Sequence, residues 1–332
     1  MRVMKMLAAA VAACVAVAGA ASAQTLIVLN KSDHEAALVN PATLEVTTRL
    51  ATGKGPHEVA VSADGRMAYV SNYGAYGVFR PGEQRQQPGE TTTVLDLKAR
   101  KVAATWTLGE FKRPHGIVVS RDGRTLWVTV EENKAVLEID TSSGKIVKSW
   151  KTEQETSHMV EPTRDEKKLY VTNIRSGSVT VITRATDTVK TLKTADGTEG
   201  IAISPDGKEV WITNRGANTI SVIDVASDTV KESFDSGGKM PIRVKFTPDG
   251  KEVFVSNAQS NMVSVFDAKT RALVAKIEVG VVPVGIQMTP DGKHAFVANT
   301  NANKVSVIDV AARKVASTFE TGTEPDGMAW AK

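Results

Sequence analysis

The chain has 332 residues, of which 42% are apolar and 23% charged, ordinary values for a globular protein. Its formal charge of +4 is spread along the sequence without a basic run. Charge therefore gives no reason to expect a nucleic-acid partner. The one cysteine, Cys14, excludes a disulfide framework.

Residues 1–23 read as a secretory signal. Arg2 and Lys5 form a positive start, Met6–Ala20 is a short apolar stretch rich in Ala and Val, and Ala21-Ser22-Ala23 is a small-residue cleavage site before Gln24. Val11-Ala12-Ala13-Cys14 matches a lipoprotein signal only loosely, because the apolar run continues past the cysteine. The expectation is a periplasmic or secreted chain from Gln24 onward with no membrane span. Cleavage after Ala23 leaves no cysteine, which rules out thiolate metal sites, a Cys nucleophile and haem attachment through Cys-x-x-Cys-His. No haem is expected.

From residue 24 the chain repeats. A Ser/Thr-x-Asp-Gly turn recurs as Ser62–Gly65, Ser120–Gly123, Thr163–Glu166 (Glu in place of Gly), Ser204–Gly207, Thr247–Gly250 and Thr289–Gly292, at intervals of 58, 43, 41, 43 and 42 residues. Each turn follows one short β-branched run and precedes a second, which ends in Asn at Asn72, Asn173, Asn214, Asn257 and Asn299 but not at Val130. A third run ends in Asp, as in Val222-Ile223-Asp224, and a fourth follows a short turn, as in Thr229–Phe234. Four runs separated by Gly, Pro, Asn and Asp make an antiparallel meander. A blade this small must stack on its neighbours, and radial stacking predicts a propeller.

The count predicts an all-β, seven-bladed propeller over residues 24–332. Leu26–Leu50 supplies only strands two to four of the first blade, and Asp326–Ala331 supplies its first, closing the ring. Tyr170-Val171-Thr172-Asn173, the Pro-Asp-Gly turns and the Ser-Val-Ile-Asp strands resemble the YVTN family of β-propeller repeats (YncE-like bacterial exported proteins). The resemblance covers the chain after the leader. It implies the fold far more than an activity, since members include binding proteins and relatives of propeller enzymes.

Function is sought where one repeat departs from the others. Five positions before each turn the ring reads Asp326, His57, His115, His158, Glu199, Ile242 and Val284, so five consecutive blades place a titratable group at the expected channel mouth. His34 and His294 lie elsewhere in the repeat. The next position holds Glu58 and Arg243 among small residues and Met159, and two further on Glu161, Lys245 and Gln287 interrupt an apolar set, with Glu161 and Lys245 as a candidate pair. The interval of 58 comes from an insertion, Tyr73–Glu90, that contains Tyr76 and Arg80 and emerges beside His57. A disordered polar loop and a lid are both consistent with its composition.

Three readings follow. Channel mouths are wet and tolerate polar residues, so the arc can be without a task. Three neutral imidazoles, His57, His115 and His158, with a carboxylate suit zinc or copper. A His or Glu base with Arg243 holding an anionic substrate suits a lactonase or lyase, and Asn72-Tyr73-Gly74 locally resembles the seven-bladed lactonase family. The expected function is a monomeric binding or scaffold protein that receives a small molecule or a protein on the face carrying His57, Glu58, Tyr73, Tyr76, Arg80, His115, His158, Glu199, Arg243 and Asp326.

Overall fold

Each Ser/Thr-x-Asp-Gly segment closes a hairpin in the same way. The Ser62 hydroxyl donates to Asp64 Oδ1 at 2.6 Å, and the amide of Gly65, at φ 70°, donates to the Ser62 carbonyl. Ser204–Asp206 and Thr289–Asp291 repeat the contact at 2.6 Å. At Thr163 the left-handed position is taken by Glu166 at φ 55°, so the turn survives the loss of its glycine.

These hairpins build seven four-stranded antiparallel sheets in the computed structural model, which describes residues 24–74 and 87–332. Pro325–Ala331 pairs with Thr25–Asn30, which is followed by Glu35–Asn40 and Glu45–Ala51. The last strand thus completes the first blade, in the register Leu26 opposite Trp330. Among the described residues no helix is long and apolar enough to cross a membrane.

Apolar side chains pack between blades. Tyr69 and Val94 of the second blade meet Leu126, Val128 and Leu137 of the third, and Trp127 and Trp211 are fully buried in such seams. The asparagines that end the second strands are buried, and Asn214 Nδ2 donates to Ser221 Oγ at 2.9 Å. In the third blade Val130 and Leu137 stand at the two equivalent positions, both fully buried. Replacing both partners by apolar groups leaves no orphaned donor.

The inner strands are irregular where they matter. In all seven blades the pairing of the first strand with the second shifts register after its first residue, for example between Pro114 and Ile117 and between Ser157 and Val160. Such a bulge re-aims side chains. A Ser or Thr hydroxyl locks it from the neighbouring blade: Ser71 donates to the His115 carbonyl, Thr129 to that of His158 and Thr172 to that of Glu199, each at 2.6 Å. The residue before each inner strand is left-handed, including the β-branched Thr156 at φ 60° and Val282 at φ 57°. That conformation is costly for such residues, so the ring imposes it.

At Gly116, Gly200, Gly285 and Gly327 adjacent inner strands approach too closely for a side chain between them. A Cβ added at Gly327 meets the His57 carbonyl oxygen at 2.1 Å, across the seam between the first and second blades. Gly327→Ala is expected to destabilise the chain by about 2 kcal/mol or more through overpacking. Chemical denaturation checks this, and an unchanged midpoint would mean that the seam is not tight.

Candidate functional site

The second residue of each inner strand points to the channel mouth, where the bulge and the cross-blade hydroxyl hold its backbone. His57, His115, His158, Glu199 and Asp326 are all between 3% and 5% exposed, so the mouth is a buried polar cluster and not a wet rim. The imidazoles run in a line: His57 and His115 have ring centroids 5.1 Å apart, and His115 and His158 only 3.7 Å. Tyr73 closes one side, 4.6 Å from His57 and 5.5 Å from His115, with the Arg113 guanidinium 5.0 Å over its ring.

A residue outside the predicted arc joins the imidazoles. Glu131 follows the second strand of the third blade, and its two oxygens take a hydrogen bond from the Tyr73 hydroxyl at 2.5 Å and one from His158 Nδ1 at 2.6 Å. The position after the second strand reads Lys31, Tyr73, Glu131, Ile174, Arg215, Ala258 and Thr300. It is a second ring, polar or charged over much of the same arc, and it was legible in the repeat. Lys31 Nζ pairs with Asp326 Oδ2 at 3.0 Å, and Arg215 Nη1 lies 2.9 Å from Glu199 Oε2 in an ion pair without directed hydrogen-bond geometry.

Glu58 and Arg243 meet each other. Arg243 Nη2 bonds Glu58 Oε1, and Arg243 Nη1 stands 3.9 Å from Glu199 Oε1. Glu58 thus takes one side of the guanidinium that was expected to hold an anionic substrate, while Nη1 makes no hydrogen bond. Glu161 and Lys245 share the channel below but form no ion pair with each other; burial outweighs the Lys245 charge and pushes the Glu161 carboxyl up. Tyr76 and Arg80 lie outside the described residues, as does most of the Tyr73–Glu90 insertion.

Burial and charge separate the three histidines. Burial, with the Lys31 charge, lowers His57 from its ordinary 6.5 to about 3 against the opposing pull of Asp326 and of the Gly55 carbonyl that its Nδ1 meets at 2.8 Å. Burial and the charges of His158 and His57 hold His115 well below the ordinary value. Burial acts the same way on His158, but hydrogen bonds and charge from Glu131 and Glu199 outweigh it and raise its pKa. Burial pushes Glu199 up, yet His158, Arg215 and Arg243 together leave it below the ordinary range.

His115, Glu131 and His158 can bring one donor atom each within 4.8 Å of one another, so this group could hold a metal ion. His57 is not part of it. Its Nδ1 is engaged by Gly55, and a carboxylate from the second ring takes the third place. His115 Nδ1 and Asp326 Oδ1 are buried without a hydrogen-bond partner, and His158 Nε2 and Arg243 Nη1 reach only Glu199 Oε1, at 3.5 and 3.9 Å. Orphaned atoms of this kind are costly, and a cluster of them marks a place built for something polar.

The description YNCE-like beta-propeller matches residues 3–78 and 243–332, together half of the chain. The chain belongs to that family. The description "Lactonase, 7-bladed beta-propeller" matches residues 175–276, which contain Glu199, Arg215 and Arg243 but none of the mouth histidines. "Esterase-like activity of phytase" matches residues 82–221. No curated protein sequence matches the chain. Among solved structures, a Kuenenia stuttgartiensis hydrazine synthase chain is 23% identical with a TM-score of 0.74, over 86% of this chain and 92% of its own. A functionally unknown protein from Desulfotomaculum acetoxidans is 12% identical with a TM-score of 0.78, over 92% of this chain and 98% of its own. Dihydro-heme d1 dehydrogenase NirN in complex with DHE is 18% identical with a TM-score of 0.66, over 89% of this chain and 63% of its own. Likeness at these identities shows the propeller fold alone. The absent Cys-x-x-Cys-His speaks only to covalent haem attachment.

The pKa shifts fix a pH dependence. Below about 6.5 an unfolded imidazole binds a proton that folded His57 refuses until about 3, so the stability that His57 carries at neutral pH is lost as pH falls between those values. His115 acts in the same direction. His158 opposes them, because its contribution is complete below about 6.5 and is lost as pH rises through its raised pKa. His57→Asn is expected to remove about one proton, ~1.4 kcal/mol per pH unit, from the acid slope. Denaturation midpoints across that range check it; an unaltered slope contradicts the assignment of His57 as a buried neutral imidazole.

Proposed function

We propose that the chain is an exported binding protein whose channel mouth holds a divalent transition metal, zinc or copper, through His115, Glu131 and His158. The observation that carries this reading is the convergence of two imidazoles and a carboxylate, all buried, with His115 Nδ1 lacking a hydrogen-bond partner and His158 Nε2 facing Glu199 Oε1 at 3.5 Å. Two nitrogens and one carboxylate oxygen are a donor set for either metal. Donors around a tetrahedral ion stand about 3.3 Å apart, so the group must contract slightly on binding.

The surroundings fit that role. Tyr73 donates to Glu131 and so orients its carboxylate, the kind of outer contact that tunes metal ligands. The proton that His158 holds between Glu131 and Glu199 occupies the same electrostatic niche, and binding a cation releases it. Three protein ligands leave a further coordination position, through which a small molecule or a protein group from the mouth face is bound. Residues 1–23, with Arg2, Lys5, the apolar stretch and Ala21-Ser22-Ala23, support export to the periplasm or beyond.

Elemental analysis of protein recovered from the envelope fraction, with its intact mass, tests both parts. The expected result is one equivalent of zinc or copper on a chain beginning at Gln24. Metal is lost in His115→Ala/His158→Ala, and Tyr73→Phe weakens it by about tenfold or more. Absence of metal, or metal retained by the double variant, defeats the assignment. Affinity should fall on acidification, starting at a higher pH than for an ordinary histidine, because His158 must lose its proton to the metal.

A further inference from the structure

Below the mouth the channel is divided. The Glu58–Arg243 bridge spans it one residue down each inner strand from the histidines, and beneath lies a cavity of about 230 Å³ that Glu58 and Arg243 line but His57, His115, His158, Glu199 and Asp326 do not. Aliphatic side chains, Val59, Ile117, Ile201, Ile286 and Met328, form about half of its wall, and polar groups the rest. Three polar side chains interrupt them at one level, Glu161, Lys245 and Gln287, on the fourth, sixth and seventh blades. The other four residues at that level are Ala60, Val118, Ala202 and Ala329.

The charges in this compartment are unbalanced. Every cation at the mouth has an acidic neighbour: Lys31 has Asp326, Arg215 has Glu199 and Arg243 has Glu58. Lys245 is half-buried, and no hydrogen bond or ion pair engages its ammonium group. Glu161, the acid sharing its cavity, is pushed toward its neutral form by burial and makes no ion pair with it. Gln287 uses its Nε2 to donate to the Met288 carbonyl at 3.0 Å and so closes one side of the cavity.

We propose that this lower compartment is a second binding site, for a small aliphatic monocarboxylate. Lys245 pairs with the carboxylate, and the alkyl chain lies against Val59, Ile201 and Ile286. A cavity with apolar walls and a few convergent polar groups is the general form of a small-ligand site. An amphiphilic anion matches both halves of this one, whereas an inorganic anion leaves the aliphatic walls unused. The site is separate from the proposed metal centre and shares no ligand with it.

Calorimetric titration of the purified chain with hexanoate tests the proposal. One-site binding is expected, with hexanol and inorganic phosphate each weaker by about tenfold or more, the loss of a charge-assisted contact or of apolar burial. Lys245→Met should lose hexanoate binding by a similar factor while keeping its melting temperature and metal content. Lys245→Gln serves where the Met variant does not fold. His115→Ala/His158→Ala should bind hexanoate as the parent does, so loss of the metal reading leaves this one standing. No binding of hexanoate, equal binding of hexanol, or full binding by the folded Lys245 variant overturns it.

Discussion

The structure depends on how closely seven inner strands can be brought around one axis. Where they touch, the second residue of one strand presents its carbonyl to the third residue of the strand before it. A Cβ added at Gly116, Gly200, Gly285 or Gly327 lies 2.1–2.6 Å from such a carbonyl. Glycine at these positions is a consequence of distance, not of turn conformation. The same approach lets Ser71, Thr129 and Thr172 donate to carbonyls of the next blade, so the ring is stitched at its centre by hydrogen bonds as well as by the apolar seams outside it.

That stitching makes the mouth precise. A side chain on a loop can relax away from a charge it dislikes; His115 and His158 sit on bulged strands whose carbonyls are bound by the preceding blade. Their imidazoles are therefore held with centroids 3.7 Å apart, in surroundings that favour opposite protonation states. Burying several charges together is not in itself stabilising, since desolvation offsets much of the attraction. The network of Lys31–Asp326, Arg215–Glu199 and His158–Glu131 is better understood as fixing positions. The energy that stabilises the ring comes mainly from the apolar seams between blades.

The Glu58–Arg243 bridge gives the channel two ends with different chemistry. Above it stand imidazoles and carboxylates, His115, His158, Glu131 and Glu199; below it stand Lys245, Glu161 and Gln287 among aliphatic side chains. In sequence the inner-strand residues look like one polar column, because they fall at the second, third and fifth positions of the inner strands. The bridge, formed between side chains 185 residues apart, is what separates them.

Much of the fold was readable from residues alone. The Asp-Gly turns fixed the meander, the intervals fixed the blades, and the missing first strand at Leu26–Leu50 required Asp326–Ala331 to close the ring, because these are local or counting constraints. The arc from Asp326 to Glu199 was readable for the same reason: a repeat reveals its exceptions. Glu131 was missed although it too stands at a repeated position, since Val130 before it lacks the asparagine that marks that place in other blades. What no repeat carries is the distance between side chains on different blades. That Glu131 rather than His57 stands with His115 and His158, and that Arg243 reaches Glu58, depends on rotamers and on the curvature of the ring, and only the tertiary structure carries both.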